Sequence, residues 1–372
     1  MAAVWVSTLR SVCHLCFPND SPIIFRINYW SENRERSARE TRAIGLESDL
    51  RLGRIIRVLM SYPTVVISGT KLGQEIDSTR SEVWRLVQQL RDLGVEIAGH
   101  PASGYQLTAM PDLLLPEMLA SLVRGTIFAG HIHHYYRVGS TNTLALEAAA
   151  AGAPEGSVFL AEQQTAGRGR GNNQWHSAKS TGIYCSVVLR PAVPPSDVVI
   201  LTLAAGLAAQ SAVREIDSRV NPDLKWPNDL LVDGKKLCGI LTEMHAEATR
   251  VRHIVVGIGI NVNQMDFPGE LQQIATSLRM ITGSERSRVE LCAALLKSLD
   301  REYHNLLSNP QAHADILHRF EERSSSVRGE HAYIEENAEI EGVTEGLDSR
   351  GFLQVRTPGG LKTVYSGTVR LK

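Results

Sequence analysis

The stretch AGRGRGNNQWH at residues 166–176 sets two arginines among three glycines. Glycines let backbone N–H groups approach an anion closely, and the forked guanidinium groups of Arg168 and Arg170 suit phosphate or carboxylate. A loop with so little side-chain packing can order on its ligand and exclude water from a reactive intermediate. The pattern predicts an anion-binding loop that closes over its ligand. The alternative is a mobile surface hairpin without a ligand.

This loop fits neither common glycine-rich phosphate motif. No Gly-Lys-Ser/Thr follows it, as a P-loop would require, and no helix opens after it. Gly167, Gly169 and Gly171 have the wrong spacing for a dinucleotide fingerprint, and Asn172 and Asn173 stand where its helix would begin. A single Gly-x-Gly pair is a weak signal, so the assignment depends on the other polar segments of the chain.

The segment DLKWPNDLLVDGKKLCGILTEM at residues 223–244 carries four polar side chains beside apolar ones: Lys225, Asn228, Asp229 and Lys236. A lysine near a core usually buries its stem and keeps its charged head in water. Here the turn residues predict three short strands, with Lys225 and Lys236 on neighbouring strands and Asp229 between them. Such a group of charges beside a core favours a binding or catalytic site.

Two further segments predict parts of the same site. Ser140, Thr141 and Asn142 lie at a turn before an alanine-rich helix. One of them would suffice as a helix cap, whereas three in a row also suit a polar ligand head. The segment HIVVGIGINVNQ at 253–264 predicts a buried strand, in which Gly257 and Gly259 leave room for something flat against the sheet.

The amino-terminal part of the chain predicts a winged helix-turn-helix. Apolar residues at helical spacing mark helices near 50–60 and 77–94, a shorter helix lies near 68–76, and VEIAGHPASGYQLT predicts two short strands around a turn. The second helix of the motif enters the major groove of DNA. We expect five of its residues to face DNA: Ser78, Thr79, Arg80, Ser81 and Arg85. The alternative is a protein-interaction module of the same fold.

The carboxy-terminal part changes character. Residues 286–307 predict a long amphipathic helix, and a second helix is expected at about 310–322. Residues 331–372 predict short strands separated by glycine-rich turns, as in a small SH3-like β-barrel. The fold class is therefore α+β, with a winged helix, a central mixed-sheet α/β catalytic domain and an SH3-like barrel.

Composition restricts the class of protein. With 372 residues the chain is long enough for two or three domains, and 43% hydrophobic with 21% charged residues is ordinary for a globular protein. A net charge of −1 gives no general attraction to nucleic acid or membrane, so any polyanion site must be local. No apolar run reaches the ~18 residues of a membrane span. Cys185, Cys238 and Cys292 suit reduced core thiols in a cytoplasmic protein.

Four segments organise the chain. We interpret residues 1–45 as a disordered extension without a secretory signal. Cys13 and Cys16 in this segment are not expected to bind zinc, because a second pair of ligands with suitable spacing is missing. The winged helix is assigned to 46–110, the catalytic domain to 111–325 and the SH3-like domain to 326–372. Residues 111–116, PDLLLP, are interpreted as the linker between the first two domains.

Five motifs resemble, in order and spacing, those of biotin protein ligases: GSTN at 139–142, AEQQTAGRGR at 161–170 with a tryptophan after it, KWPNDLLVDGKKLCGIL at 225–241, GIGINVN at 257–263 and FPGELQQIATSL at 267–278. With the winged helix and the carboxy-terminal segment, the resemblance extends over about residues 46–372 to the bifunctional ligase/repressor form. One departure is Asn172 and Asn173, where the family often has a further glycine and arginine.

The resemblance implies a two-step reaction. Biotin condenses with ATP to biotinyl-5′-AMP and pyrophosphate, and biotin then passes to one lysine of a biotin carboxyl-carrier domain, such as that of acetyl-CoA carboxylase. No protein nucleophile is needed. A carboxylate must be held against the α-phosphate, so cations must neutralise two anions in the transition state. ATP with Mg²⁺ is expected as cofactor and biotin as substrate, with no metal site built by the protein.

The resemblance also implies roles for residues by position. The catalytic set is Lys236, Arg168, Arg170 and Asp229, with Lys236 between the carboxylate and the phosphate and Asp229 orienting or deprotonating the acceptor lysine. The biotin-binding set is Ser140, Thr141, Asn142, Gln164, Arg168, Gly169, Arg170, Lys236, Gly239 and Gly257. The ATP-binding set is Arg168, Arg170, Asn228, Lys236 and Asn261.

Three alternatives to a ligase that is also a biotin-sensing repressor stay open on the sequence. One is a transcription factor that binds biotin without transferring it, against which Lys236, Arg168 and Arg170 count. Another is a ligase whose winged helix no longer recognises an operator. The last is a lipoate or octanoyl ligase of the same fold. The expected partners are the carrier domain, operator DNA and, once ligand is bound, a second copy of the chain in a homodimer, with no membrane.

Overall fold

The amino-terminal domain is a winged helix. The structure, a computed structural model, describes residues 51–100, 103–171, 173–247, 250–335 and 340–371; the proposed extension at 1–45 and Asn172 lie outside them. The elements of this domain are α1 (51–61), α2 (Gly69–Glu75), α3 (Arg80–Asp92), β1 (Ile97–His100) and β2 (Gly104–Leu107). The predicted order of three helices and a hairpin is confirmed.

A helix cap and a glycine shape the turn between α2 and α3. The Thr79 hydroxyl accepts a hydrogen bond from the Glu82 backbone N–H at 3.3 Å and so caps α3. A side chain at Gly73 would come within 2.7 Å of the Ser78 carbonyl oxygen, so glycine lets the turn after α2 pass close to that helix. The predicted inner face of α3 is buried, comprising Val83, Leu86, Val87 and Leu90.

The connection at 111–116 is a packed segment rather than a free linker. Leu113 and Leu115 are buried in the winged-helix core, while Leu114 is buried in the core of the next domain. Tyr136, from the second domain, also packs into the winged-helix core. Consecutive leucines in an extended segment point to opposite sides, which is why this one can join two cores.

The central domain is built on a seven-stranded mixed sheet in the order β3-β4-β5-β9-β8-β7-β6. Only β3 and β4 run parallel; the other neighbours are antiparallel. Its strands are β3 (Ile132–Tyr135), β4 (Val158–Ala161), β5 (Gly182–Leu189), β6 (Asp223–Lys225), β7 (Asp229–Val232), β8 (Lys235–Glu247) and β9 (Arg250–Asn261). The expected strands around residues 223–244 and 253–264 are therefore present.

Helices cover the two faces of this sheet unequally. The alanine-rich helix α5 (Thr141–Ala150) packs on one face, where the small side chains of Ala145 and Ala149 lie against Val188 and Val255. The other face forms the main core with α6 (Val198–Ile216) and α9 (Arg288–Ser308). The remaining helices are α4 (Pro116–Leu119), α7 (Leu271–Ile274), α8 (Leu278–Thr282) and α10 (Ala312–Glu322).

Among the described residues, one helical segment, Pro195–Ile216, is long and apolar enough to cross a membrane by length and composition. Its side chains lie against α9 and the sheet, and 72% of its most apolar window is buried inside the protein. This burial is what a core helix shows. The cysteines Cys185, Cys238 and Cys292 are likewise free and buried, as expected for core thiols.

The carboxy-terminal domain is an antiparallel sheet in the order β13-β12-β11-β10-β14. Its strands are β10 (Arg328–Glu335), β11 (Ile340–Leu347), β12 (Leu353–Thr357), β13 (Gly360–Val364) and β14 (Thr368–Leu371). Within the described residues the outer strands β13 and β14 do not pair, so the predicted barrel is present as an open five-stranded sheet. The Trp226 indole N–H donates to the Gly351 carbonyl at 2.9 Å and fastens this sheet to the central domain.

A buried charge network ties the connection to the central sheet. Arg288, the first residue of α9, donates to Glu162 at 2.7 Å and to Asp112 at 3.1 Å, and its side chain is 2% exposed. The other Glu162 oxygen lies 3.0 Å from His134 and accepts from the Leu114 backbone at 2.9 Å. Burial raises the pKa of Glu162, but the Arg288 charge and these hydrogen bonds lower it to about 2.

Glu162→Gln should lower the free energy of unfolding at pH 7 by about 3–5 kcal/mol, because Arg288 then stays buried without its main counter-charge. The folded-state pKa of about 2 lies below the unfolded value of about 4.3. Ionised Glu162 therefore stabilises the fold above about pH 4.3, and this contribution is lost as the pH falls towards 2.

Urea unfolding at pH 7 and pH 3 measures both effects, and the variant should lose less stability on acidification than the wild type. Glu247→Gln is the matched control, because Glu247 pairs with Arg252 on the surface with 58% of its side chain exposed. It should change stability by less than about 1 kcal/mol. Equal stability of Glu162→Gln and wild type at pH 7 would contradict the role given to this network.

Candidate active site

A cleft on the α5 face of the sheet gathers nearly all the residues singled out from the sequence. It is lined by predicted residues from the α5 turn, the glycine–arginine loop and strands β7, β8 and β9: Ser140, Thr141, Asn142, Gln164, Arg168, Gly169, Arg170, Asn228, Asp229, Lys236, Gly239 and Gly257. Asn261, which was also expected in this site, does not line it. The cleft thus joins segments that are more than 100 residues apart in the chain.

One end of the cleft is a cluster of hydroxyl and amide groups. Thr141 donates to the Gln164 side-chain oxygen from both its backbone N–H, at 2.8 Å, and its hydroxyl, at 3.1 Å. The Gln164 amide donates to the Ser177 hydroxyl at 2.8 Å. Ser186, fully buried, donates to Asn142 at 2.6 Å. Ser140 precedes α5 but makes no side-chain cap, so its hydroxyl is left for another partner.

The floor of the cleft is made by glycines on which two protein side chains lie. A Cβ at Gly259 would come within 2.4 Å of the Trp175 ring, and one at Gly239 within 2.8 Å. A Cβ at Gly257 would lie 1.9 Å from the Asn142 side-chain oxygen. The flat space predicted over the glycines therefore exists, and it is filled by Trp175 and Asn142.

The other end of the cleft is charged. The Lys236 ammonium lies 2.7 Å from an Asp229 carboxylate oxygen and 5.6 Å from the centre of the Trp175 ring. Asp229 on β7 pairs with Lys225 on β6 and with Gly239 on β8. The prediction that Lys225 and Lys236 lie on neighbouring strands was wrong, because β7 lies between β6 and β8. Burial lowers the pKa of Lys225, and Asp229 partly offsets this effect. Two lysines thus flank one carboxylate, which leaves a net positive charge for an anionic ligand.

The two loop arginines point to different parts of the site. Arg168 donates to Glu243 at 2.5 Å, near the polar end of the cleft. Arg170 donates to the backbone carbonyl of Gly367, in the carboxy-terminal domain. The loop forms a narrow hairpin, in which Gly169 N–H donates to the Asn173 carbonyl at 2.8 Å. No helix follows it, as predicted, and its two cations reach both ends of the cleft.

The two candidate ATP-binding asparagines have different positions. Asn228 lines the cleft, and its side chain donates to the Ile240 carbonyl at 2.7 Å. Asn261 is buried and donates to the carbonyls of Thr276, at 3.0 Å, and Lys236, at 3.4 Å. Asn261 therefore supports the backbone of Lys236 from behind rather than facing the cleft.

The exposed face of α3 holds most of the residues expected at DNA. Thr79, Arg80, Ser81 and Arg85 are exposed, and Ser78 is half-buried. Arg85 forms two hydrogen bonds with Glu82, at 2.6 and 2.8 Å, so its charge is largely offset. Trp84, which the sequence analysis did not select, lies on the same face with 58% of its surface exposed.

Sequence reasoning missed several residues that line or support the cleft. Trp175, Ser177, Ser186, Glu243 and Gly367 all contact residues that were predicted. Trp175 had a signal, because it follows the glycine-rich stretch closely. Ser186 had none, since it stands alone in an apolar strand segment, and the partners of Glu243 lie 75 and 101 residues away in the chain.

Three protein families match separate parts of the chain. The Biotin/lipoate A/B protein ligase family matches residues 135–261. The Biotin protein ligase C terminal domain matches 333–372, and a helix-turn-helix domain matches 51–106. These three matches fall on the central sheet, the carboxy-terminal sheet and the winged helix.

Longer matches are to proteins of the same kind. The bifunctional ligase/repressor BirA of Bacillus spizizenii is 35% identical over 85% of this chain and 97% of its own. The biotin--[acetyl-CoA-carboxylase] ligase of Mycobacterium tuberculosis is 35% identical over 63% of this chain and 86% of its own. A solved biotin protein ligase from Aquifex aeolicus, in complex with biotin and ATP, has a TM-score of 0.57 at 29% identity, over 65% of this chain and 99% of its own. The chain belongs to the biotin protein ligase family, with the helix-turn-helix domain of its bifunctional ligase/repressor members.

Proposed function

We propose that this protein activates biotin with ATP in the cleft, transfers it to a lysine of a biotin carboxyl-carrier domain, and represses transcription when loaded with the adenylate. The observation that carries the proposal is the arrangement of the cleft. A polar end formed by Thr141, Gln164 and Asn142 and a cationic end formed by Lys236 and Lys225 flank one glycine floor. The structural relative from Aquifex aeolicus is in complex with the same two substrates, biotin and ATP.

The polar end favours a urea ring over a disulfide ring. Its hydroxyl and amide groups are buried, and a buried polar group without a partner costs about 1–3 kcal/mol. A ureido group offers two N–H donors and a carbonyl acceptor, so it can replace the bonds among Thr141, Gln164 and Ser186. A dithiolane ring offers only weak acceptors. We therefore expect the polar end to favour biotin over lipoate, the alternative ligand in the same fold.

The cationic end supplies what adenylation needs. The biotin carboxylate attacks the α-phosphorus of ATP and pyrophosphate leaves, so two anions must approach each other. We place Lys236 between them, because it lies at the end of the glycine floor. Its backbone carbonyl on β8 accepts a hydrogen bond from Asn261. Asn228 and Lys225 lie beside it, where the leaving pyrophosphate needs donors. Fixed cations in a partly dry cleft stabilise this charge without reorganising.

Mg²⁺ would enter the cleft with ATP. It prefers oxygen ligands and is usually held by one or two carboxylates together with substrate phosphates. Asp229 is the carboxylate beside the phosphate end, and no group of three His, Cys, Asp or Glu side chains able to hold a metal occurs among the described residues. The ion would therefore be held mainly by phosphate oxygens and would neutralise part of their charge.

The second step needs a base and a path for the acceptor. The acceptor lysine attacks the mixed-anhydride carbonyl, AMP leaves, and the amine loses a proton. We propose that Asp229 orients that amine or accepts its proton. The ion pair with Lys236 holds Asp229 at the reaction end of the glycine floor. The carboxy-terminal domain borders the same end through Gly367 and Val369. We place the carrier domain there, in the cytoplasm, where its carboxylase would be found.

The repressor role rests on the winged helix and on the loops. Adenylate that orders the glycine–arginine loop would lower the cost of docking a second copy of the chain. The outer edge of β8 beyond Gly239 has no neighbouring strand among the described residues, and it offers an edge for such docking. A homodimer presents two winged helices, so its operator should be an inverted repeat.

Lys236→Ala should lower biotin-dependent release of pyrophosphate about 100- to 1,000-fold, because one central cation is removed from a doubly anionic transition state. Lys235→Ala is the matched control, since Lys235 precedes it on β8 and does not line the cleft. The control should keep wild-type rates. A Lys236→Ala rate within about tenfold of wild type would refute the assigned role.

Arg170→Gly should weaken retention of the adenylate more than binding of biotin, because the proposed partner of this arginine is phosphate and its contact with Gly367 closes the loop. Escaped adenylate acylates lysines at random. Mass spectrometry of an added bystander protein measures this. Unchanged bystander biotinylation, together with unchanged release of adenylate, would rule the role out.

Arg80→Ala and Trp84→Ala should weaken binding to operator DNA and leave pyrophosphate release unchanged, because both side chains are exposed on α3, away from the cleft. Gel shifts with DNA from upstream of the host's biotin-synthesis genes, with and without biotin and ATP, measure this. Wild-type binding should fall steeply with salt. If adenylate-loaded protein prefers that DNA no more than unrelated DNA, the chain is a ligase without operator binding.

A further inference from the structure

We propose that Glu243 is a positioning residue that locks the glycine–arginine loop onto the ring end of the cleft. Its carboxylate holds Arg168 of the loop with one oxygen and Asn142 of the α5 turn with the other. This inference rests on the proposed function, because the ring end is assigned to biotin. It adds a residue that acts through Arg168 and Asn142 rather than on the reacting atoms.

The position of Glu243 follows from strand geometry. Gly239, Leu241 and Glu243 alternate on β8 and face the same side of the sheet. Four residues of strand place Glu243 about 13 Å from Gly239, the glycine beside Lys236. Glu243 is therefore remote from the reaction end. Its side chain is 23% exposed, and that of Arg168 is 34% exposed, so the pair is partly shielded from water.

Only a carboxylate at position 243 can accept hydrogen bonds from both partners. Arg168 Nη2 donates to one Glu243 oxygen at 2.5 Å, and Asn142 Nδ2 donates to the other at 3.0 Å. Both partners are donors, so both atoms of residue 243 must accept. A glutamine of the same shape has one accepting atom and one donating atom.

Asn142 cannot turn to relieve that conflict. Its side-chain oxygen accepts from the Ser186 hydroxyl at 2.6 Å, and its amide also donates to the Leu241 carbonyl at 3.2 Å. Turning the amide would set its oxygen against the Leu241 carbonyl oxygen and break that bond, inside a cleft wall where Asn142 is 4% exposed. A buried donor left without an acceptor loses about 1–3 kcal/mol. The Leu241 carbonyl thus fixes the orientation of Asn142, and that orientation requires an acceptor at residue 243.

The consequence concerns retention rather than bond making. Glu243 joins the loop to the turn that carries Ser140 and Thr141, the proposed contacts of the ring. Without this joint, Arg168 has no fixed acceptor at the ring end, and the loop opens more often. Ligand then leaves faster and binds more weakly, whereas the cations near Lys236 keep their places. A change in the KM for biotin with little change in kcat is the expected signature.

The test compares Glu243→Gln, which keeps shape and volume, with Glu243→Ala and with the control Glu247→Gln on the same strand. Calorimetry with biotin gives the dissociation constant, and pyrophosphate release gives kcat and KM. Trypsin cleavage after Arg168 and Arg170, measured without any ligand, reports how often the loop opens. Unfolding curves confirm that each variant is folded at the assay temperature.

For Glu243→Gln we expect about tenfold to hundredfold weaker binding of biotin, a kcat within about threefold of wild type, and faster cleavage of the loop. The control should match wild type in all three. Binding within about twofold of wild type, or unchanged cleavage, would overturn the proposal. If the wild type does not bind biotin, the proposed function fails instead, and the ligand-free cleavage rates still decide whether Glu243 holds the loop.

Discussion

The site is governed by the repulsion between two anions that must be brought together. A carboxylate and a phosphate approach only where fixed cations offset their charge and water is scarce. No single element of this fold can supply such an arrangement. Lys236 comes from β8, Lys225 from β6 and Arg170 from the loop, and the carboxy-terminal domain receives Arg170 at Gly367.

The cleft is floored by glycine for a steric reason. A ligand that reaches from a polar pocket to a cationic one must lie along the sheet. Side chains on Gly239, Gly257 or Gly259 would collide with Trp175 or Asn142, the groups that shape that path. Small residues on the strands and large ones on the loop thus form one surface. Larger residues at the glycines would block the path, and smaller residues at Trp175 or Asn142 would remove its walls.

Much of this could be predicted from local signals in the sequence. The helices of the winged helix, the strands around Lys225 and Lys236 and the absence of a helix after the loop depend on periodicity and turn residues, which act over short distances. Partners distant in the chain could not be predicted. Glu243 on β8 contacts Arg168, and Ser186 on β5 contacts Asn142, only because the fold sets these strands beside the loop and the α5 turn. Asn261 was expected in the cleft, but the connection through Thr276 turns it behind Lys236. The leucines of 113–115 looked like a linker because their two cores lie on opposite sides of the chain.

The central claim is that one cleft activates biotin by adenylation and keeps the product. Incubation with ATP labelled at the α-phosphate, followed by rapid gel filtration and chromatography of the protein-bound nucleotide, tests it directly. The account predicts labelled biotinyl-5′-AMP that co-elutes with the protein when biotin is present, and none when lipoate replaces it. Label recovered only as ATP or free AMP in the presence of biotin, or equal adenylate formation from lipoate, would contradict it.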